Sequence, residues 1–421
     1  MNVRRPRGTN DILPEDVGKW QFVEAKIREL CHRYGYHEIR TPVFESTELF
    51  ERGIGEATDI VEKEMYTFTD RSDRSLTLRP EGTAGVVRAF IENKLHAQPL
   101  PAKLYYIGPM FRYEKPQAGR YRQFSQFGIE AIGSMDPFLD VEMITLPIEL
   151  YRACGLDGFQ VQVNSIGCPE CRGEYRAVLR QHLGERVHQF CENCQRRLDR
   201  NPLRVLDCKN PKCQELVEEV PPITDYLCGE CADHFRQVLQ YLDQLSVTYE
   251  LNPKLVRGFD YYTKTVFEIT VPTLGAQNAI GGGGRYDGLV EEIGGIALPA
   301  VGYAVGMERL LLALDQQENT SYPQRHPEAY IAHFGGMTKT AAVKIVTELR
   351  KQGLWVELDY LDRSLKAQMK SADRFNCTWV IIVGEAELEH NTVKVRNMAT
   401  GKEYDVALSQ IKEFLTGARE E

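Results

Sequence analysis

KLYYIGPMFRYEKPQAGRYRQFSQFGIEAIG, Lys103–Gly133, reads as two strands joined by a charged loop. The first strand is KLYYIGPMFRY. The second is RQFSQFGIEAIG, Arg122–Gly133, and the loop Glu114–Tyr121 carries Lys115, Gly119 and Arg120. Side chains alternate faces along a strand. Phe127, Ile129 and Ala131 therefore share an apolar face, while Gln126 and Glu130 share the other with Arg122, Phe124 and Gly128. A polar row opposite an apolar face is either a solvated sheet surface or the floor of a polar pocket. Arg112 and Glu114 sit where the first strand ends. A guanidinium is a planar fork of donors that suits phosphate or carboxylate. Arg112 beside a basic loop can hold a nucleotide phosphate, or it can simply pair with Glu114.

Upstream of this hairpin, Trp20, Val23, Ile27, Leu30, Cys31 and Tyr34 recur mostly at spacings of three and four, which predicts a helix with one apolar face. Pro14 near its start and Gly35 past its end suit helix boundaries. HEIRTPV, His37–Val43, reads as a strand, with Pro42 arguing for an edge or a strand end. Downstream, residues 150–167 read as a connector and a strand. A change in composition follows from 168 to about 245, where charged helices and clustered cysteines suggest an inserted helical subdomain. The sheet-like pattern resumes near Tyr249.

Three further stretches carry residues suited to chemistry. In LVRGFDYYTKTVFE, Leu255–Glu268, Arg257 and Asp260 flank Gly258 in a turn. A strand follows, with Tyr261, Thr263, Thr265 and Phe267 expected on one face and Tyr262, Lys264, Val266 and Glu268 on the other. Its plainest reading is a turn and strand with an Arg257–Asp260 pair. In IGGGGRYDGL, Ile280–Leu289, four glycines allow close approach of a ligand or another strand. The stretch lacks both the GK[ST] ending of a Walker loop and a GxGxxG leading into a helix. GYAVGMERLLLAL, Gly302–Leu314, reads as a short strand, a turn at Gly306 and a helix opening near Met307. Arg309 then lies in the first helical turn, where the dipole is positive, so a phosphate or a carboxylate should face it.

DQQENTSYPQRH, residues 315–326, is a polar linker without periodicity. After it, AYIAHF, LWVELDY and TWVIIVG read as strands, separated by two helical stretches. That order predicts an α/β domain with a mainly parallel sheet. The domain expectation is 1–325, with an insertion at about 168–245, and 326–421.

The 421 residues are 43% hydrophobic and 26% charged, an ordinary globular composition, and the formal net charge is −9. Such a charge does not advertise general nucleic-acid binding, so any such contact must come from local basic patches. The N-terminal stretch has no apolar run after its basic residues, and no segment reaches the ~18 apolar residues that span a membrane. A cytoplasmic protein with no membrane association is expected. Eight of the eleven cysteines fall in four close pairs: Cys168 and Cys171, Cys191 and Cys194, Cys208 and Cys213, Cys228 and Cys231. The number and spacing suit two zinc sites of four cysteines each, although spacing leaves the pairing open. Reduced cysteines without metal are the plainer reading.

Taken together, these stretches resemble one family. FRYEKPQAGRYRQF (Phe111–Phe124), AVGMERLLLAL (Ala304–Leu314) and GYHEIRTPVFE (Gly35–Glu45) are similar to the three signatures of class II aminoacyl-tRNA synthetases. RGTNDILP (Arg7–Pro14), LRPEGT (Leu78–Thr83), LVRGFDYYTKTVFE and IGGGGRYDGL are narrower and resemble bacterial histidyl-tRNA synthetases. The resemblance implies an α+β catalytic domain whose antiparallel sheet is flanked by helices, with the inserted helical subdomain and a C-terminal α/β anticodon-binding domain. It implies a homodimer that joins L-histidine to tRNA(His), using ATP with Mg2+ and passing through histidyl-adenylate.

The resemblance also implies residue roles. Glu81, Thr83 and Gln126 hold the α-amino group of histidine. Glu130 and Tyr262, with Tyr261 beside them, take the imidazole. Arg112, Glu114 and Arg309 bind ATP, and Arg257 supplies charge where the carboxylate meets the α-phosphate, so Arg112, Arg257 and Arg309 form the catalytic set. Many relatives have histidine at the position of Ser125, whose parity points it away from the amino-acid pocket. A catalytically silent regulatory paralogue is the competing reading. Such paralogues typically lack the anticodon domain and have a degraded arginine–tyrosine segment, and both are intact here. An uncharging tRNA-binding sensor has less in its favour, because nothing extra is fused to the chain.

Overall fold

A computed structural model describes residues 3–55, 58–275, 278–317, 322 and 326–417. The first helix is Pro14–Arg33. Proline opens it, Glu15 and Asp16 lie in its first turn, and His32 and Arg33 in its last, each placed to complement the helix dipole. Its buried face is Val23, Ile27, Leu30 and Cys31. Gly35 follows with φ of 74°, a left-handed exit that glycine adopts without steric cost.

The chain divides into two units, Met1–Tyr322 and Pro323–Glu421. The strands of the first unit are β1 (His37–Glu38), β2 (Phe44–Ser46), β3 (Tyr66–Thr69), β4 (Ser75–Leu78), β5 (Ala102–Phe111), β6 (Gln123–Ile132), β7 (Gln160–Ser165), β8 (Glu250–Leu251), β9 (Thr263–Thr270), β10 (Ala279–Arg285) and β11 (Ala300–Gly306). Eight of them form one sheet in the order β1-β5-β6-β11-β10-β9-β7-β8. The pairs β1–β5 and β7–β8 at the two edges are parallel, and the pairs between them are antiparallel. The hairpin β5–β6 is in register from Ala102 opposite Ile132 to Phe111 opposite Gln123.

One face of the sheet carries the main core. Phe127, Ile129 and Ala131 are fully buried there against helices Pro14–Arg33, Pro137–Ala153 and Gly229–Gln244, as the apolar parity of β6 predicts. Each large apolar side chain buried this way contributes about 1.5–3 kcal/mol. The helices between β7 and β8 include Pro169–Leu183, Glu192–Arg200 and Pro211–Leu216, which build a second core with Tyr175, Leu179 and Leu198. Gly229–Gln244 instead joins the main core through Phe235, Val238 and Leu242. At the end of β10, fully buried Arg285 meets fully buried Asp140 at 2.7 Å, and His234 approaches the same carboxylate at 3.2 Å. This ion cluster ties the sheet to two helices.

Two sequence expectations about the strands of the first unit need correction. HEIRTPV is not one strand: only His37 and Glu38 pair with β5, and the chain then leaves for a separate three-stranded sheet, β2-β4-β3. Pro42 cannot donate to a ladder and restricts the residue before it. The freed carbonyls of Thr41 and Pro42 accept from the Arg79 guanidinium at 3.0 and 3.4 Å. The face alternation expected from Tyr261 to Glu268 also fails, because Lys264 has φ of 48° and β9 begins only at Thr263.

In the second unit, β12 (Ala329–His333), β13 (Val356–Leu358), β14 (Trp379–Val383), β15 (Thr392–Asn397) and β16 (Glu403–Ala407) form a sheet in the order β13-β12-β14-β15-β16. Its first three strands are parallel, and β15 and β16 are antiparallel additions, so the sheet is mixed rather than mainly parallel. The connection from β14 to β15 has room for one short helix, Glu385–Glu389. A parallel crossover needs a dozen residues or more.

Candidate active site

The polar face of β6 is the floor of a cleft, the pocket rather than the solvated-surface reading. Gln126 and Glu130 project into it from β6, Glu81 and Thr83 from the start of helix Thr83–Glu92, and Tyr261 and Tyr262 from the turn before β9. Arg112 enters from the end of β5, Arg257 from the 255–262 segment and Arg309 from the first turn of helix Met307–Leu314.

Glu130 lies at the bottom, 1% exposed. It accepts from Thr83 Oγ1 at 2.7 Å and from the Tyr286 hydroxyl. Burial pushes its carboxyl up to about 8, against the pull of those two hydroxyls. Gly302 on β11 stands directly opposite Glu130, and a Cβ there would lie 1.8 Å from Oε2. The missing side chain is what lets the carboxylate lie flat on the sheet. Glu81 is held differently. It accepts the backbone N–H groups of Thr83 at 2.6 Å and Ala84 at 2.8 Å, the otherwise unpaired donors of a helix start. Burial still leaves its carboxyl above the usual range, despite those bonds. Gln126 Oε1 is buried with no hydrogen-bond partner among the described residues, so an acceptor waits in the cleft for a donor.

The cations are fixed before any ligand arrives. Arg112 donates through Nε to the Pro80 carbonyl at 2.8 Å, and its guanidinium lies 5.3 and 5.8 Å from the ring centres of Phe124 and Phe259. Arg257 donates to Glu268 at 2.8 Å and approaches the Tyr262 ring at 5.9 Å. A Cβ on Gly282 would come within 2.6 Å of the Arg257 guanidinium, so the glycine run serves a packed arginine as well as a close strand. The sequence-expected Arg257–Asp260 pair gives way to Arg257–Glu268, and Asp260 instead accepts from Asn201 Nδ2 at 2.6 Å. Burial, and after it the neighbouring Arg120, lowers the pKa of Arg309. Two cations held close suit a ligand carrying several negative charges.

Glu114 does not line the cleft; its carboxylate pairs with Arg120 at 3.1 Å and with Arg112 at 4.0 Å. Ser125 also stays outside, as its parity requires, and its backbone N–H donates to Glu308 at 2.9 Å. Sequence reading missed Tyr106, Arg120, Phe259, Glu268 and Tyr286 as lining residues. Tyr106 was findable from the hairpin register, which sets it opposite Gly128. Tyr286 was not, because its approach to Glu130 depends on the order in which distant strands pair.

The eight clustered cysteines form two groups, Cys168, Cys171, Cys228 and Cys231, and Cys191, Cys194, Cys208 and Cys213, with the sulfurs of each group within 4.8 Å of one another.

Comparison with known proteins follows the same lines. A family model described as "Histidyl-tRNA synthetase" matches residues 8–310, and one described as "Anticodon binding domain" matches residues 328–417. "Histidine--tRNA ligase" of Desulforamulus reducens is 54% identical over 415 residues, covering 99% of both chains. The Moorella thermoacetica protein of the same name is 51% identical over 420 residues, covering 100% of this chain and 99% of its own. Among solved structures, apo histidyl-tRNA synthetase of S. aureus superposes with a TM-score of 0.83 at 41% identity, covering 98% of this chain and 100% of that one. The Nostoc sp. histidyl-tRNA synthetase, at 20% identity and a TM-score of 0.71, shares the fold.

Proposed function

The chain belongs to the histidyl-tRNA synthetase family, and we propose that the cleft above Glu130 is where histidine and ATP react. The activity is that of the family: histidine and ATP give histidyl-adenylate and diphosphate, and the histidyl group then passes to the 3′ end of tRNA, releasing AMP. The observation that carries the placement is a buried carboxyl at the floor of a cleft that Arg112, Arg257 and Arg309 also line, the first two anchored by Pro80 and Glu268.

In this reading Glu130 takes one imidazole nitrogen and Tyr262 helps orient the ring, with Tyr261 packed beside it at 4.6 Å between ring centres. Glu81, Thr83 and Gln126 receive the α-ammonium group, the kind of donor that the unpartnered Gln126 oxygen lacks. A site built to pair such groups rejects an apolar amino acid, which would leave them unsatisfied. The histidine carboxylate attacks the α-phosphorus, and negative charge builds on the phosphoryl oxygens. Arg112 and Arg257, already fixed by Pro80, Phe124 and Glu268, meet that charge without reorganising, so they stabilise the transition state more than the ground state. Arg309 holds the γ-phosphate. Magnesium that arrives with ATP offsets charge on the departing diphosphate. No general base is needed, since the attacking carboxylate is already ionised. Glu114 acts on ATP at one remove, by orienting Arg112 and Arg120.

We further infer a homodimer, supported by the apolar Phe44 and Phe68, which are 49% and 44% exposed and stack edge-on upon the small sheet. The catalytic domain is taken as 1–325 and the anticodon-binding domain as 326–421, the partner surface for tRNA(His). The clustered cysteines are read as ligands of structural zinc, and their reduced state suits the cytoplasm.

Histidine-dependent exchange of labelled diphosphate into ATP tests the placement. Arg257→Ala is expected to lower the exchange rate on the order of 10²–10³-fold, with histidine binding measured by calorimetry retained. An unchanged rate would sink the role given to Arg257.

A further inference from the structure

The sequence spacing of the cysteines leaves open which pairs act together. The fold brings the outermost pairs together, Cys168 and Cys171 with Cys228 and Cys231, and encloses the inner pairs, Cys191 and Cys194 with Cys208 and Cys213. All eight are free thiols. A zinc ion bound by four sulfurs at about 2.3 Å sets neighbouring sulfurs about 3.8 Å apart. The Sγ atoms of Cys168 and Cys171 are 3.5 Å apart, and those of Cys191 and Cys208 are 3.9 Å apart. An iron–sulfur cluster spreads its ligands over several iron atoms and needs thiolates farther apart than these groups, which fit within 4.8 Å. Each group also has a backbone amide aimed at a sulfur. Cys228 N–H donates to Cys171 Sγ at 3.1 Å and Cys191 N–H to Cys213 Sγ at 3.3 Å. Amide donors of this kind stabilise thiolate ligands in the shell around a metal.

The segments between the ligands reach the candidate active site. Arg172 follows the ligand Cys171, and its Nη1 donates to the backbone carbonyls of Asp260 at 3.3 Å and Tyr262 at 3.0 Å. Asn201, between the ligands Cys194 and Cys208, donates to the Asp260 carboxylate at 2.6 Å. Arg197 and Arg204 of the same stretch pair with Asp59 at 2.9 and 3.0 Å. The turn that carries Tyr261 and Tyr262 therefore has hydrogen bonds from both cysteine-bounded segments.

We propose that the eight cysteines form two nested four-thiolate zinc centres, and that the outer centre fixes Arg172 as a positioning residue for the Asp260–Tyr262 turn of the histidine pocket. The inference rests on reading the thiols as zinc ligands and on placing histidine in the cleft. Each zinc ion replaces the thiol protons, which pass to solvent, and no redox step is involved. The outer centre closes a loop that contains the whole inner centre, so it holds both ends of the insertion where they leave and rejoin the sheet.

Metal analysis of the full-length protein purified without chelator should give two zinc ions per chain. Zinc near zero, or iron in its place, overturns the zinc reading itself. X-ray absorption of the zinc protein should show four sulfur neighbours per metal, and fewer would overturn the four-thiolate assignment. Pairing is tested separately. Cys168→Ser with Cys228→Ser should keep one zinc, whereas Cys168→Ser with Cys191→Ser should lose both; the reverse pattern would establish sequential rather than nested pairing. If these variants do not fold, stepwise zinc release from the unaltered protein with mass-spectrometric mapping of alkylated thiols reads the same grouping. Cys168, Cys171, Cys228 and Cys231 should become reactive as one set, and a mixed set would refute the nesting. Arg172→Ala should retain both zinc ions, raise the KM for histidine roughly tenfold through misplacement of the turn and leave the KM for ATP within about twofold. Full zinc with an unchanged histidine KM would remove the positioning role while leaving the metal centres and the active-site placement intact.

Discussion

Glu130 shows how one residue's surroundings set its chemistry. Its carboxyl is pushed up to about 8 by burial, and the partners it has in the free protein are two hydroxyls. A folded-state pKa above the unfolded one means that the native protein holds the proton more tightly than the unfolded chain does. The stabilising contribution is complete below about pH 4.5 and is lost as pH rises through about 8, on the order of a few kcal/mol across that window. Glu130→Gln should therefore flatten the fall in Tm of the ligand-free protein between pH 5 and 8. A parallel slope in both proteins would mean that another group is responsible. The same variant should raise the KM for histidine roughly tenfold by replacing the carboxyl that pairs with an imidazole nitrogen, which steady-state exchange kinetics would read. The polar parity of Glu130 and Gln126 was legible in the sequence. The burial that moves the pKa was not, nor were the hydroxyls of Tyr286 and Thr83 that oppose it, because these depend on segments far apart in the chain closing around the carboxyl.

At the level of elements, local signals served where an element's neighbours are local. Helix Pro14–Arg33 follows from its apolar spacing, its opening proline and Gly35, and the β5–β6 hairpin from two alternating runs around a charged loop. They failed where a distant partner decides. HEIRTPV has strand composition, yet the chain changes sheets at Pro42 because Arg79, from beyond β4, collects the carbonyls released there. The Arg285–Asp140–His234 cluster is likewise invisible in sequence, since its members come from β10 and two separate helices. Its worth can be measured. Asp140→Ala removes the nearer of two carboxylates from a fully buried arginine, leaving it Asp287 at 3.4 Å, and should cost about 3 kcal/mol. Denaturant unfolding with an unchanged midpoint would show that the cluster adds nothing to stability.

For the whole molecule, the division into Met1–Tyr322 and Pro323–Glu421 separates the cleft from the stretch matched as an anticodon-binding domain. The described cleft residues all lie in the first unit, which has its own sheet and cores. A chain ending at Tyr322 should exchange diphosphate at close to the full rate yet charge tRNA at least tenfold less efficiently, through loss of the second tRNA contact. Intact charging would refute the need for the second unit. By itself the sequence determined the two-part α+β and α/β plan and the family, and it singled out Glu81, Thr83, Arg112, Gln126, Glu130, Arg257, Tyr261, Tyr262 and Arg309, which line the cleft, while passing over neighbours such as Tyr106 and Tyr286. Those features rest on contiguous motifs, on periodicities of two and 3.6, and on residue types whose chemistry is narrow. Only the tertiary structure decided that Arg257 pairs with Glu268 rather than Asp260, that β15 and β16 run antiparallel, and that the cysteine pairs nest. Each of these is a choice among partners of the same chemical type. Such a choice is made by which backbones the packed core brings within a few ångströms, and sequence spacing alone does not record that distance.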